Sequence, residues 1–221
     1  MYSMDNYETK LAAAYVRGIL DVNQFDLDDL NEYEMDELIL KGKEMGLKMY
    51  HFKKKELLPR VKMVMGILKG MQPESLLDVG SGRGVFLFPI LNEFFWVPVT
   101  SVDILEHRVE MLQKISAGGM SNLTALQQDI CKWSMEDNSF DVVTLLEVLE
   151  HIPDVQAAVN AAVRLAKRYV VVSVPSKPDD NPEHIHLLTK ELLTELFNSA
   201  GCEKLQFSGV NGHLIMTAKI D

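Results

Sequence analysis

Cysteine is scarce: Cys131 and Cys202 are the only two in 221 residues, and they form neither a metal-type nor a redox-type spacing. That excludes a disulfide framework and a cysteine-held metal site, and it predicts reduced thiols in a cytoplasm. Long hydrophobic runs are missing too, none approaching the ~20 residues of a membrane-spanning helix. The opening MYSMDNYETK has no basic start followed by an apolar block, so a cytoplasmic location without a secretory signal is expected. Positive charge is in deficit, with 22 Lys and Arg against 32 Asp and Glu, a net charge of -10. Nucleic acid binding draws on cations that neutralise phosphates, so the balance argues against RNA or DNA as a partner. The basic cluster Lys53-Lys54-Lys55, with Arg60 and Lys62, reads as a solvated helix face. What is present, 47% hydrophobic and 24% charged residues, is the make-up of an ordinary globular chain, as monomer or homodimer.

The texture changes near residue 72. Residues 1–72 carry helical spacing in YETKLAAAYVRGIL, LDDLNEYEMDELILKGKEMGL and KKKELLPRVKMVMGILKGM. Asp26 and Asp28 suit a helix start, and Gly46 suits a helix end. Residues 73–221 alternate short apolar runs with helical stretches. The runs SLLDVG, VTSVDI, LTALQQD, FDVVTLLE and YVVVSVP lack polar alternation, which predicts strands buried on both faces of a parallel sheet. Asn211-Gly212 between two last strands signals a hairpin. The expectation is an α/β, Rossmann-like three-layer sandwich: a mostly parallel seven-stranded sheet ending in a β-hairpin, preceded by a helical extension.

The chemistry concentrates in LLDVGSGRGVF. Gly80, Gly82 and Gly84, with Ser81 among them, follow a strand and lead into a helix, where backbone can approach a ligand closely. A dinucleotide fingerprint would need glycine at 85, and the residue there is Val85. Asp78 offers a carboxylate to a cationic amino acid ligand. Asp103, at the end of the second strand, is placed for two ribose hydroxyls. Asp129 and Ile130 follow the third strand, and Glu147 ends the fourth beside the same cleft, where it is expected among the cofactor-binding residues.

Taken in order, LLDVGSGRG, VDI, QQDI and FDVVTLLEVLEHIPD resemble the motifs of class I methyltransferases, in particular the ubiquinone-biosynthesis-like small-molecule enzymes. The resemblance covers residues 73–221. It implies S-adenosylmethionine as cofactor, with the glycine loop beneath its methionine part, Asp103 and Ile104 at the ribose, and Asp129 and Ile130 flanking the adenine. A small-molecule acceptor is then expected, an oxygen nucleophile first.

Methyl transfer needs positioning and, for a hydroxyl, a base; His151 is the candidate base, with a loop histidine that caps backbone as the plain alternative. EVLEH followed by EHIHLLT also resembles the metal site of the Hen1 RNA 2′-O-methyltransferases. By position the ligands would be Glu147, Glu150, His151 and His184, with His186 nearby, for a divalent ion such as Mg, Mn, Fe, Zn or Co. The double proline which that family carries ahead of its glycine loop is absent here. Two other readings stay open: such an RNA enzyme, and a cofactor-binding module without turnover. The aromatics Tyr50, His51 and Phe52 either border the cleft under a helical lid or pack the junction to the sheet.

Overall fold

The computed structural model describes residues 7–22, 26–53, 56–178 and 180–220; Lys54 and Lys55 of the basic cluster lie outside them. Five parallel strands, β1 (Leu76–Val79), β2 (Val99–Asp103), β3 (Leu123–Gln127), β4 (Phe140–Leu146) and β5 (Ala166–Pro175), are extended by the antiparallel β6 (Lys204–Val210) and β7 (His213–Lys219). The order across the sheet is β3-β2-β1-β4-β5-β7-β6. Chain direction across the sheet reverses between β1 and β4, and a crevice opens there at the carboxyl ends of the strands.

Successive strand residues serve opposite faces. Leu76, Val142 and Val171 join one apolar cluster, while Leu77, Val143 and Val172 join the other. On the first face lie α3 (Pro59–Met71), α4 (Leu87–Glu93) and α5 (Glu106–Ala117); on the second lie α6 (Val155–Leu165) and α7 (Lys190–Ser199). Every residue of β1 is buried, Asp78 included, as a strand covered on both faces requires. The β6–β7 turn holds Asn211 at φ +44 and Gly212 at φ +84, the paired left-handed geometry that matches strand twist.

Three boundaries differ from expectation. Asp26 does not start the second helix. It caps a 3-10 turn, Leu27–Asp29, accepting from the Asp28 amide at 3.1 Å. The helix α2 (Glu32–Glu44) begins after Asn31, which forms a capping box with Glu34. Helix α3 starts at Pro59, not Lys53, because proline fits a first helical turn and holds the residue before it extended. Strand β5 begins at Ala166, directly where α6 ends, rather than at Tyr169.

The first helix, α1 (Tyr7–Leu20), lies backbone-to-backbone on α5. A Cβ on Gly18 would stand 1.9 Å from the Lys114 carbonyl oxygen, and one on Gly118 1.7 Å from that of Ala14. Phe52, 6% exposed, packs between Tyr15 and Phe88, with ring centroids 5.4 and 6.0 Å away. Of the three connector aromatics it fills the junction, while Tyr50 is exposed. One apolar cluster thus runs from Leu11 of α1 to Ile215 of β7.

Candidate active site

At the carboxyl ends of β1, β2 and β4 lies a cleft of about 910 Å³. Its size falls within the usual range for small-molecule and cofactor sites. The described residues of the first 72 that line it are Arg60 and Val61, at the start of α3. Helices α1 and α2 instead stack outward from α5, through the α1 contacts with both.

The glycine turn forms the floor. Gly80, Gly82 and Gly84 all have positive φ, at +68, +57 and +75. The Gly80 amide extends the pairing with β2 through a 2.7 Å bond to the Val102 carbonyl. A Cβ at Gly82 would meet nothing closer than 3.7 Å, so the absent side chain leaves open cleft. Helix α4 starts at Leu87, after two further turns, somewhat later than the motif suggests.

Beneath the turn is Asp78, 2% exposed. Ser81 donates to its Oδ2 at 2.6 Å and Thr144 to its Oδ1 at 2.8 Å. Burial raises its pKa to about 6, against the lowering effect of those two hydroxyls. An acid held this way gains from a cation brought beside it. Asp103, also buried, accepts from the Gly82 amide at 3.3 Å, the Leu105 amide at 3.0 Å and Arg108 at 3.4 Å. Next to it Ile104, 64% exposed, lines the cleft. Asp129 caps a 3-10 turn, Ile130–Lys132, accepting from the Cys131 amide at 3.0 Å. Its hydrogen bond with Lys132 holds its carboxyl below the usual range. Ile130 is buried against the cleft wall.

On the other side of β1 the structure splits the expected ligand set. Glu150, His151 and His184 converge, with one donor atom from each within 4.8 Å of the others. The Glu150 carbonyl draws the loop after β5 inward by accepting from the Ile185 and His186 amides at 2.9 and 3.3 Å. Glu147 does not join them. The helical turn is confined to Leu149–His151, and Glu147 stands before it at φ +57. Its carboxylate points toward β5 and β7, to Ser173, His213 and Arg60. His186 turns away to the Ile152 carbonyl, 3.1 Å from its Nε2. Arg60, Ser173 and His213 carried no local signal, since they come from α3, β5 and β7 and meet only through the sheet order.

The family model of a methyltransferase domain matches residues 50–206. The chain belongs to this family: it is a class I S-adenosylmethionine-dependent methyltransferase. The matched span begins ahead of residue 73 and takes in α3. Over 170 residues this methyltransferase is 25% identical to the ubiquinone biosynthesis O-methyltransferase of Coxiella burnetii (strain Dugway 5J108-111), covering 66% of the chain and 69% of that relative. Among curated relatives bearing that name, the aligned part spans between 40% and 69% of their length. The N-terminal domain of EvdMO1 with SAH bound superposes with a TM-score of 0.60 at 12% identity, over 76% of this chain and 82% of that one. The methyltransferase domain of bacterial CtHen1 does so with 0.60 at 17% identity, over 73% and 97%. At such identities the two structures establish the fold. Among the described residues no helix is long and apolar enough to cross a membrane.

Proposed function

We propose that this methyltransferase methylates a hydroxyl oxygen of a small-molecule acceptor. The observation that carries the reading is a single cleft running from Asp103 and Asp129, past the glycine turn, to Glu147 and Arg60. Cofactor and acceptor would share that cavity. The O-methyltransferase relatives point to oxygen.

The residues fit S-adenosylmethionine. The buried carboxylate of Asp78 would take an ammonium group, and the open floor at Gly82 gives room against the backbone. Asp103 would hold ribose hydroxyls beside Ile104, and Asp129 with Ile130 would flank the adenine. When bound, the cofactor supplies an electrophilic methyl group on a sulfonium.

Glu150, His151 and His184 would hold a divalent ion. The Glu183 carbonyl, 2.9 Å from Nδ1 of His151, accepts that nitrogen's proton and leaves the Nε2 lone pair for a ligand. Two imidazoles and a carboxylate suit Mn, Fe, Zn or Co and leave positions open for further ligands. Without metal the same lone pair would let His151, at the mouth of the cleft, pass a proton on to water.

Calorimetric titration with S-adenosylmethionine and S-adenosylhomocysteine, followed by turnover on a panel of phenols, tests the reading. Saturable binding of both and a methyl ether product support it. Binding without any phenol methylated would end the oxygen assignment.

A further inference from the structure

Glu147 lies outside the Glu150–His151–His184 group and is not among the Asp78, Asp103 and Asp129 contacts assigned to the cofactor, although the sequence points to both sets, and three elements hold it in place. It follows β4 directly at φ +57, a conformation that a residue with a side chain keeps only where its surroundings enforce it. Here the enforcement comes from three elements. The Glu147 amide bonds the Ser173 carbonyl of β5 at 2.8 Å, and the Ser173 hydroxyl donates to Oε1. From β7, Nδ1 of His213 lies 3.1 Å from Oε2. From α3, Nε of Arg60 lies 3.9 Å from Oε1.

Proton positions follow from donor chemistry. Arginine only donates, so Nε2 of His213, 3.4 Å from Nη1 of Arg60, carries the lone pair and Nδ1 carries the proton. That Nδ1 is buried and close to Glu147 but poorly aligned for a hydrogen bond. Catalytic contacts in ligand-free sites are often loose in this way and tighten when the partner binds.

We propose that Glu147 receives the hydroxyl of the methyl acceptor, with His213 and Ser173 as positioning residues and Arg60 facing a second oxygen of the acceptor. The assignment rests on the oxygen-acceptor reading. Glu147 and Arg60 both line the cleft, while His213 and Ser173 stand behind the carboxylate. A carboxylate beside a guanidinium complements a hydroxyl donor beside an oxygen acceptor. The hydroxyl donates to Glu147, which turns an oxygen lone pair toward the methyl group. As the new O–C bond forms, the C–S bond breaks with its electron pair left on sulfur, and the O–H proton passes to Glu147 and then to water. The products are a methyl ether, S-adenosylhomocysteine and one proton.

The test compares the wild type with Glu147→Gln, His213→Ala and His213→Asn, the last restoring an N–H near the Nδ1 position. Thermal unfolding first establishes that each variant folds, and Ser173→Ala substitutes for any that does not. S-adenosylhomocysteine affinity, by calorimetry, should stay within about threefold of wild type in all of them. The optical probe 4-nitrocatechol, titrated into protein loaded with S-adenosylhomocysteine, should bind about 10-fold more weakly to Glu147→Gln, the loss of one hydrogen bond to a charged group. Its kcat on phenols should fall at least ~100-fold. His213→Ala should lose about 10-fold in kcat, and His213→Asn should recover most of that. Unchanged probe binding and turnover in Glu147→Gln would overturn the assignment alone. A wild type that binds S-adenosylhomocysteine yet neither binds nor methylates any phenol would overturn the oxygen-acceptor reading, and this assignment with it.

Discussion

Gly80 and Val148 meet across the ends of β1 and β4: a Cβ on Gly80 would stand 2.7 Å from Cγ2 of Val148. Gly80 is also at φ +68, where an L side chain is strained whatever the space. The contact fixes the height of the glycine turn against the segment that carries Glu147. Gly80→Ala should therefore cost about 1–3 kcal/mol of stability. It should also weaken S-adenosylhomocysteine binding at least ~10-fold, because the turn must rise into the cleft. Thermal unfolding and calorimetry read the two effects separately. A variant with wild-type affinity would show that the turn does not touch the cofactor.

Asp78 sets binding against stability. Its folded pKa of about 6 lies above the ordinary 3.8, with burial as the main cause. For an acid raised on folding, the contribution to stability is full below the unfolded value and is lost as pH rises through the folded one. The unfolded chain sheds this proton first, so the ligand-free protein loses stability between about pH 4 and pH 7. The total is on the order of 3 kcal/mol. Asp78→Asn removes that cost. Its ligand-free Tm at pH 7.5 should rise, while S-adenosylhomocysteine affinity should fall at least ~10-fold. A lower Tm at that pH would mean that the lost bonds from Ser81 and Thr144 outweigh burial.

Much of this was legible in the chain because it is local. The runs of Val and Leu around Asp78, Asp103 and Glu147 mark strands buried on both faces, and the glycines place the turn. Asn211-Gly212 needs no partner to announce a hairpin. What stayed hidden depends on sheet order. His213 reaches Glu147 because β7 inserts between β5 and β6, and no spacing in the chain encodes that neighbour. The direction of Glu147 was equally unreadable. Periodicity places it one turn from Glu150, but a left-handed φ at Glu147 breaks the helical continuation and sends the carboxylate toward β7.

Removing one imidazole tests the metal assignment. Wild-type protein titrated with Mn²⁺ or Zn²⁺ after chelation should take up one ion. His184→Ala should weaken that uptake at least ~10-fold, as loss of one of three protein ligands does. Affinity for S-adenosylhomocysteine should not change, because His184 stands outside the glycine turn and the Asp103–Asp129 wall. Equal ion uptake by wild type and variant would dissolve the site.

The α1–α5 crossing makes a prediction about stability alone. Gly18 and Gly118 bring two helix backbones so close that an added methyl group at either meets a main-chain carbonyl oxygen below 2 Å. Backbone cannot rotate away as a side chain can. Gly18→Ala should cost about 2–3 kcal/mol. The described part of α1 lines none of the cleft, so S-adenosylhomocysteine affinity of the folded variant should match wild type. Reduced affinity would mean that α1 acts on the cleft through α5 and Arg108.

Asp103 offers the sharpest discrimination. Its oxygens already accept from the Gly82 and Leu105 amides and from Arg108, so the carboxylate is fixed before any ligand arrives. A site built to bond hydroxyls rejects a ligand lacking one far more strongly than an apolar pocket would. Wild type should therefore prefer S-adenosylhomocysteine over its 2′-deoxy analogue at least ~10-fold. Asp103→Ala should bind both more weakly, with the preference nearly abolished. Loss of affinity with the preference intact would give Asp103 a role in shaping the turn through Gly82, and the ribose would have to be held elsewhere.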